Sequence, residues 1–184
     1  MCSTILPLQN NTYCVYKFTL SFLFILAHLV HKKTQSKSQL IALIFYGLGD
    51  VIITRFLVPA GVVFVIGHII FIYNNKISVK FSHVVKIVVM SVPVPYFLLY
   101  SKDISLFESC QLFVYFCVVA SVFVVFRYSQ KAKIVQIAAF VFYLSDVALM
   151  IQTYKSGLDS ATVEYLSYFL LATYYFAVNA YAIM

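Results

Sequence analysis

Phe45-Tyr46-Gly47-Leu48-Gly49-Asp50-Val51 places a carboxylate inside a run otherwise apolar enough to cross a membrane. An acidic side chain near the middle of a membrane helix costs roughly 2.5–3.5 kcal/mol on insertion scales, so such residues are rare and face protein or a cavity. Phe142-Tyr143-Leu144-Ser145-Asp146-Val147 repeats the pattern later in the chain. Gly49 and Ser145 are small residues of the kind that let membrane helices approach closely. Each aspartate therefore stands beside an expected helix–helix contact.

The surroundings of these stretches decide the fold class. The chain has 184 residues, of which 63% are hydrophobic and 10% charged. Its mean hydropathy is +0.95. Soluble domains carry about 25% charged residues, so this chain lacks the polar side chains to cover a water-facing surface. The reading is an all-α, polytopic transmembrane bundle. At about 20 residues per crossing the length allows six to eight spans. Many runs are rich in Val, Ile and Phe, which favour strands in water. Their length and lack of alternating polarity argue for helices, because lipid demands backbone groups satisfied within the segment.

Taken in order, residues 1–12 form a short polar N-terminus, and 13–184 form a single helical membrane domain. About seven spans are expected, at 13–30, 39–57, 58–73, 82–100, 106–126, 132–153 and 162–183. Pro93 and Pro95 remove backbone donors and should kink the fourth. Counted on alternate sides, one set of loops holds Lys32, Lys33, Lys37, Lys76, Lys80, Arg127, Lys131 and Lys133, and the other Arg55, Lys102 and Lys155. This bias places the first set, and the C-terminus, in the cytoplasm. The same bias suits a bacterial inner membrane or an endoplasmic reticulum.

The net charge of +7 does not mark a nucleic-acid binder. Its basic residues sit in short clusters between apolar runs and form no continuous stripe. The four cysteines, Cys2, Cys14, Cys110 and Cys117, show no CxxC spacing; Cys110 and Cys117 read as buried small hydrophobes. No secretory signal, serine elbow, HExxH, P-loop or dinucleotide fingerprint occurs. No metal site or cofactor is expected.

The candidate site gathers around the two aspartates. Asp50 and Asp146 each lie about 13 residues beyond a basic loop residue, Lys37 and Lys133. At about 1.5 Å per residue they reach similar depths in helices running the same way. His68 reaches mid-membrane from the opposite side, as do Tyr168 and Tyr174. Tyr46 and Tyr143 lie about one turn before the aspartates. Two carboxyls in unequal surroundings divide into an acid and a base or stabiliser. The bland alternatives are a satisfied core histidine at His68 and packing tyrosines throughout. His28, His31 and His83 lie near span ends, where water is expected.

Together these residues resemble the YhhN-type membrane proteins, whose animal members include lysoplasmalogenases. The matching pieces are Gly47-Leu48-Gly49-Asp50, Phe64 to His68 followed by Tyr73, Phe142-Tyr143-Leu144-Ser145-Asp146, and a tyrosine pair, Tyr174-Tyr175, in the last span. That family has a Gly-Asp helix, a helix ending its motif in His, a late Ser-Asp helix and a final Tyr-Tyr helix. It usually has eight spans, and the helix holding Lys17 matches its second. Val178 stands where the family often has Gln, and an alternative alignment puts Tyr168-Phe169 at the tyrosine pair. The resemblance implies a hydrolase of the vinyl-ether bond of lysoplasmalogens, with a lysophospholipid substrate, Asp50 and Asp146 as the catalytic pair, and His68, Tyr46, Tyr143, Tyr168, Tyr174 and Tyr175 around the substrate. Two other classes remain open from the sequence: a small transporter or channel with an aspartate relay, and a non-catalytic lipid-binding protein.

Overall fold

The computed structural model describes residues 11–30, 37–53, 56–74, 80–128 and 133–182, the side chains of 11–18, 27 and 74 excepted. The polar start (1–10), the basic loop at 31–36, and Arg55 lie outside the described residues, as does the Lys17 side chain. Every element described is a helix: α1 (Asn11–Val30), α2 (Lys37–Ile53), α3 (Leu57–Asn74), α4 (Phe81–Ser91), α5 (Pro93–Tyr100), α6 (Leu106–Tyr128), α7 (Lys133–Tyr154) and α8 (Ser160–Ala182). With α4 and α5 taken as one broken span, these correspond one to one with the expected segments. Among the described residues, three helical stretches are long and apolar enough to cross a membrane: Phe81–Tyr100, Leu106–Tyr128 and Lys133–Tyr154.

The break between α4 and α5 falls at Val92, just before Pro93. Pro93 occupies the first position of α5, where its missing N–H does least harm. The other ends carry their own stops and starts. Ser105 caps α6 in a reciprocal box: the Glu108 N–H donates to Ser105 Oγ, and the Ser105 N–H donates to Glu108 Oε2 at 2.8 Å. Asp159 caps α8 by accepting from the Thr162 N–H at 2.6 Å. Between α7 and α8 the chain turns at Gly157, whose φ of 75° a glycine adopts without strain.

The helices group into two compact units, residues 1–74 with 182–184, and residues 75–181. In the first, α2 packs against α1 and α3. Its buried face runs through Gln39, Ala42, Leu43, Tyr46, Gly47, Asp50 and Ile53, a three-and-four spacing that makes one stripe. Ile41, Ile44, Leu48 and Val51 face outward, as apolar residues do toward lipid. In the second unit, α6 packs against α4, α5 and α7. Gln152 of α7 donates to Ser167 Oγ of α8 at 2.6 Å and to the Val163 carbonyl at 3.3 Å.

One end of the second unit is tied by Asp103. It accepts from Lys155 Nζ at 2.8 Å, from the Ser156 N–H at 3.0 Å and from the hydroxyls of Ser101 and Ser156. Those four donated bonds, with the Lys155 ammonium foremost, hold the Asp103 carboxyl well below the usual carboxylate range. The turns after α5 and after α7 are thus at one end, as alternate counting across two intervening helices requires. Two expectations change here. Cys110 is exposed and Cys117 only half-buried, because α6 turns them away from its packed face. His83 is buried, its ring stacked on Tyr128 with centroids 4.3 Å apart. His28 is likewise buried, and its Nδ1–H donates to the Ala182 carbonyl at 2.9 Å.

Candidate functional site

In the first unit, Asp50 lies on the buried stripe of α2 with 3% of its surface exposed. Ser21 of α1 donates its hydroxyl to Asp50 Oδ2 at 2.8 Å. Among the described side chains of α1, Ser21, Phe24 and His28 are buried, and they share one face. The two helices come close at Gly47, where an added Cβ would stand 3.5 Å from the Ser21 Cβ. The small residue before the aspartate is also a contact. A Cβ on Gly49 would lie 2.8 Å from the Phe64 ring, so the α3 aromatic occupies the space that a side chain would need.

One turn earlier on α2, Tyr46 is fully buried. Its hydroxyl is hydrogen-bonded to His68 Nδ1 at 2.8 Å. The ring packs against those of Phe64, His68 and Phe71, with centroids 6.3, 5.1 and 6.2 Å away. Ala60, Phe64, His68 and Phe71 repeat every three to four residues on α3 and form its buried face. Gly67 lets α3 come down onto Tyr46: an added Cβ there would sit 3.0 Å from the tyrosine ring. Three of the expected site residues, Asp50, Tyr46 and His68, therefore lie on facing buried surfaces of two adjacent helices. Ser21 joins them without having been singled out. A lone serine in an apolar run gives no sequence signal, and only helix contact shows its partner.

In the second unit, Asp146 is 5% exposed on the packed face of α7. Its neighbour Ser145 directs its hydroxyl at the Leu170 carbonyl of α8, 3.5 Å away. Tyr174 and Tyr181 are buried on one face of α8 and both pack on Phe142. Tyr181 also stacks on Phe126 and lies within electrostatic reach of Asp146. Tyr181 is not among the residues that the sequence motifs single out. Tyr175 is half-buried and meets Tyr174 edge-on at 5.1 Å. Val178 is fully buried beside them on α8.

Two further expected substrate residues, Tyr168 and Tyr143, have hydrogen-bond partners of their own. Tyr168 is 65% exposed, and its hydroxyl donates to Glu164 on its own helix. Six residues from Tyr174 carry it about 240° around the helix, onto another face. Tyr143 is buried, and its hydroxyl donates to the Met90 carbonyl at 2.7 Å. Met90 lies between Val89 and Ser91, whose carbonyls lose their usual N–H partners to Pro93 and Pro95. Tyr143 thus braces the kink. Among the described residues, no group of three His, Cys, Asp or Glu is placed to hold a metal ion.

A model of the YhhN family matches residues 12–180. The chain belongs to the YhhN family. No curated protein and no solved structure matches it. The YhhN match runs from α1 into α8, and both aspartates fall within it. Two of the motifs that carry the resemblance coincide with tight features of the fold, Gly49 under Phe64 and His68 on Tyr46, and Ser145 of a third faces α8.

Proposed function

We propose that this YhhN protein is an intramembrane hydrolase that cleaves the vinyl-ether bond of a lysoplasmalogen. The products are a fatty aldehyde and a glycerophospho-base. The observation that carries the reading is Asp50: a carboxylate buried in an apolar helix, its oxygen held by Ser21 at 2.8 Å, one turn from the buried Tyr46–His68 pair. Burying a carboxylate in such surroundings is expensive, and the hydroxyl sets the orientation of its oxygens.

The chemistry suits two carboxyls. A vinyl ether breaks when an acid delivers a proton to the alkene carbon remote from oxygen. The other alkene carbon and the ether oxygen then share an oxocarbenium charge. Water adds to that carbon and gives up a proton to a carboxylate. The resulting hemiacetal collapses: its hydroxyl gives up its proton as the C=O forms, the bond from carbon to the glycerol oxygen breaks, that oxygen takes a proton, and the aldehyde leaves. Glycosidases divide the same roles between two carboxyls around a similar cation. The resemblance assigns these roles to Asp50 and Asp146, and within the first unit Tyr46 with His68 forms a polar edge one turn from Asp50.

Purified protein in lipid vesicles should release fatty aldehyde from a lysoplasmenyl phospholipid and none from the matching ester lysolipid. Asp50→Asn and Asp146→Asn should each lower release by about 10²–10⁴-fold, the usual size of an acid–base contribution. Folded wild-type protein that releases no aldehyde refutes the reading.

A further inference from the structure

The second unit has a cavity that neither aspartate borders. It lies between α4 and α6 and holds about 370 Å³, within the range of small-ligand sites. Its walls are the apolar side chains of Val85, Val89, Met90, Phe123 and Val124. Lys86, Arg127 and Tyr128 complete the lining, and no acidic residue takes part.

The cations stand at one end. The chain runs up α4 and α5 and returns down α6, so the start of α4 and the end of α6 lie together. Lys86 donates to the Tyr128 hydroxyl, and its ammonium sits 4.6 Å from the centre of the Tyr128 ring. Tyr128 is stacked in turn on the buried His83. This arrangement holds the Lys86 head at the groove, where a free lysine would reach out toward water. Arg127 donates one N–H to Gln136 Oε1 at 3.2 Å, and a guanidinium has five such donors. The end they share is that of Lys80 and Lys133, on the side that the charge bias places in the cytoplasm.

We infer that this groove binds an anionic glycerophospholipid. Lys86 and Arg127 engage the phosphate, and one acyl chain lies along Val85, Val89 and Phe123. Charge decides the occupant. Two cations without an acidic neighbour favour a headgroup that carries net negative charge over a zwitterion, whose own cation they repel. Shape agrees, since Val85 and Val89 are 45% and 64% exposed and continue the groove along the outer face of α4. The site is separate from the hydrolase reading and does not depend on it.

The protein contains no tryptophan, which makes a local probe simple. Full-length Phe123→Trp protein is placed in phosphatidylcholine vesicles in which either phosphatidylglycerol or phosphatidylcholine carries brominated chains, at equal mole fraction. Brominated phosphatidylglycerol should quench the tryptophan with at least about fivefold higher apparent affinity, the effect expected for one basic residue near the surface. Adding Lys86→Gln and Arg127→Gln should bring the two lipids level. Lys133→Gln, at the same end but outside the groove, should leave the preference intact. Equal quenching by the two lipids in the Phe123→Trp background overturns the inference. So does a preference that survives the double substitution, or one that Lys133→Gln abolishes equally, since that marks diffuse surface charge.

Discussion

The two aspartate motifs look alike in sequence and are built differently. Before Asp50 stands Gly49, whose missing side chain is replaced by the Phe64 ring of α3. Before Asp146 stands Ser145, whose hydroxyl points at a main-chain carbonyl of α8. One motif achieves close packing by absence of atoms, the other by a polar contact. Overlap with a ring is steep in distance, whereas a 3.5 Å hydroxyl contact is weak. The first motif should therefore be the stiffer and less forgiving of the two.

The largest stability effect should come from Gly49→Ala. The new methyl must displace Phe64 or part α2 from α3, at about 1–3 kcal/mol, seen as a lower melting temperature in detergent. A melting temperature equal to wild type would break the contrast. Tyr46→Phe should cost about 1–3 kcal/mol, because the buried His68 Nδ1 loses its hydroxyl partner; the same melts, with helical circular dichroism, check it.

Asp103→Asn should act more narrowly, through pH. The folded-state Asp103 carboxyl is depressed, so its stabilisation is full above the unfolded value of about 4 and is lost as pH falls through that value toward the depressed one. The melting difference between wild type and Asp103→Asn should be open at pH 7 and narrow below about pH 4. A difference that widens on acidification contradicts the Lys155 bridge. Ser145→Ala should have the smallest effect, under about 1 kcal/mol. A Ser145→Ala loss as large as that of Gly49→Ala would mean that the two motifs are built alike after all.

Position along a helix was legible in the sequence; direction around it was less so. The helices begin and end close to the expected positions, because the charged and polar loops between apolar runs mark them. Asp50, Tyr46 and His68 were legible because polar groups in an apolar run must face protein. Tyr168 and Tyr181 were not separable: α8 is aromatic on several faces, so periodicity does not show which face is packed. His83 reads as water-facing from its place near a helix start, yet Tyr128 of α6 covers it. Ser21 was invisible for the opposite reason, since small hydroxyl residues are common in membrane helices and its role exists only through Asp50.

The most direct test of the account is aldehyde release from lysoplasmenyl phospholipid by wild-type, Asp50→Asn and Asp146→Asn protein, each shown to be folded by its circular dichroism melt. The account predicts release by wild type and loss of about 10²–10⁴-fold in either variant. Release that persists in folded Asp50→Asn protein would contradict it.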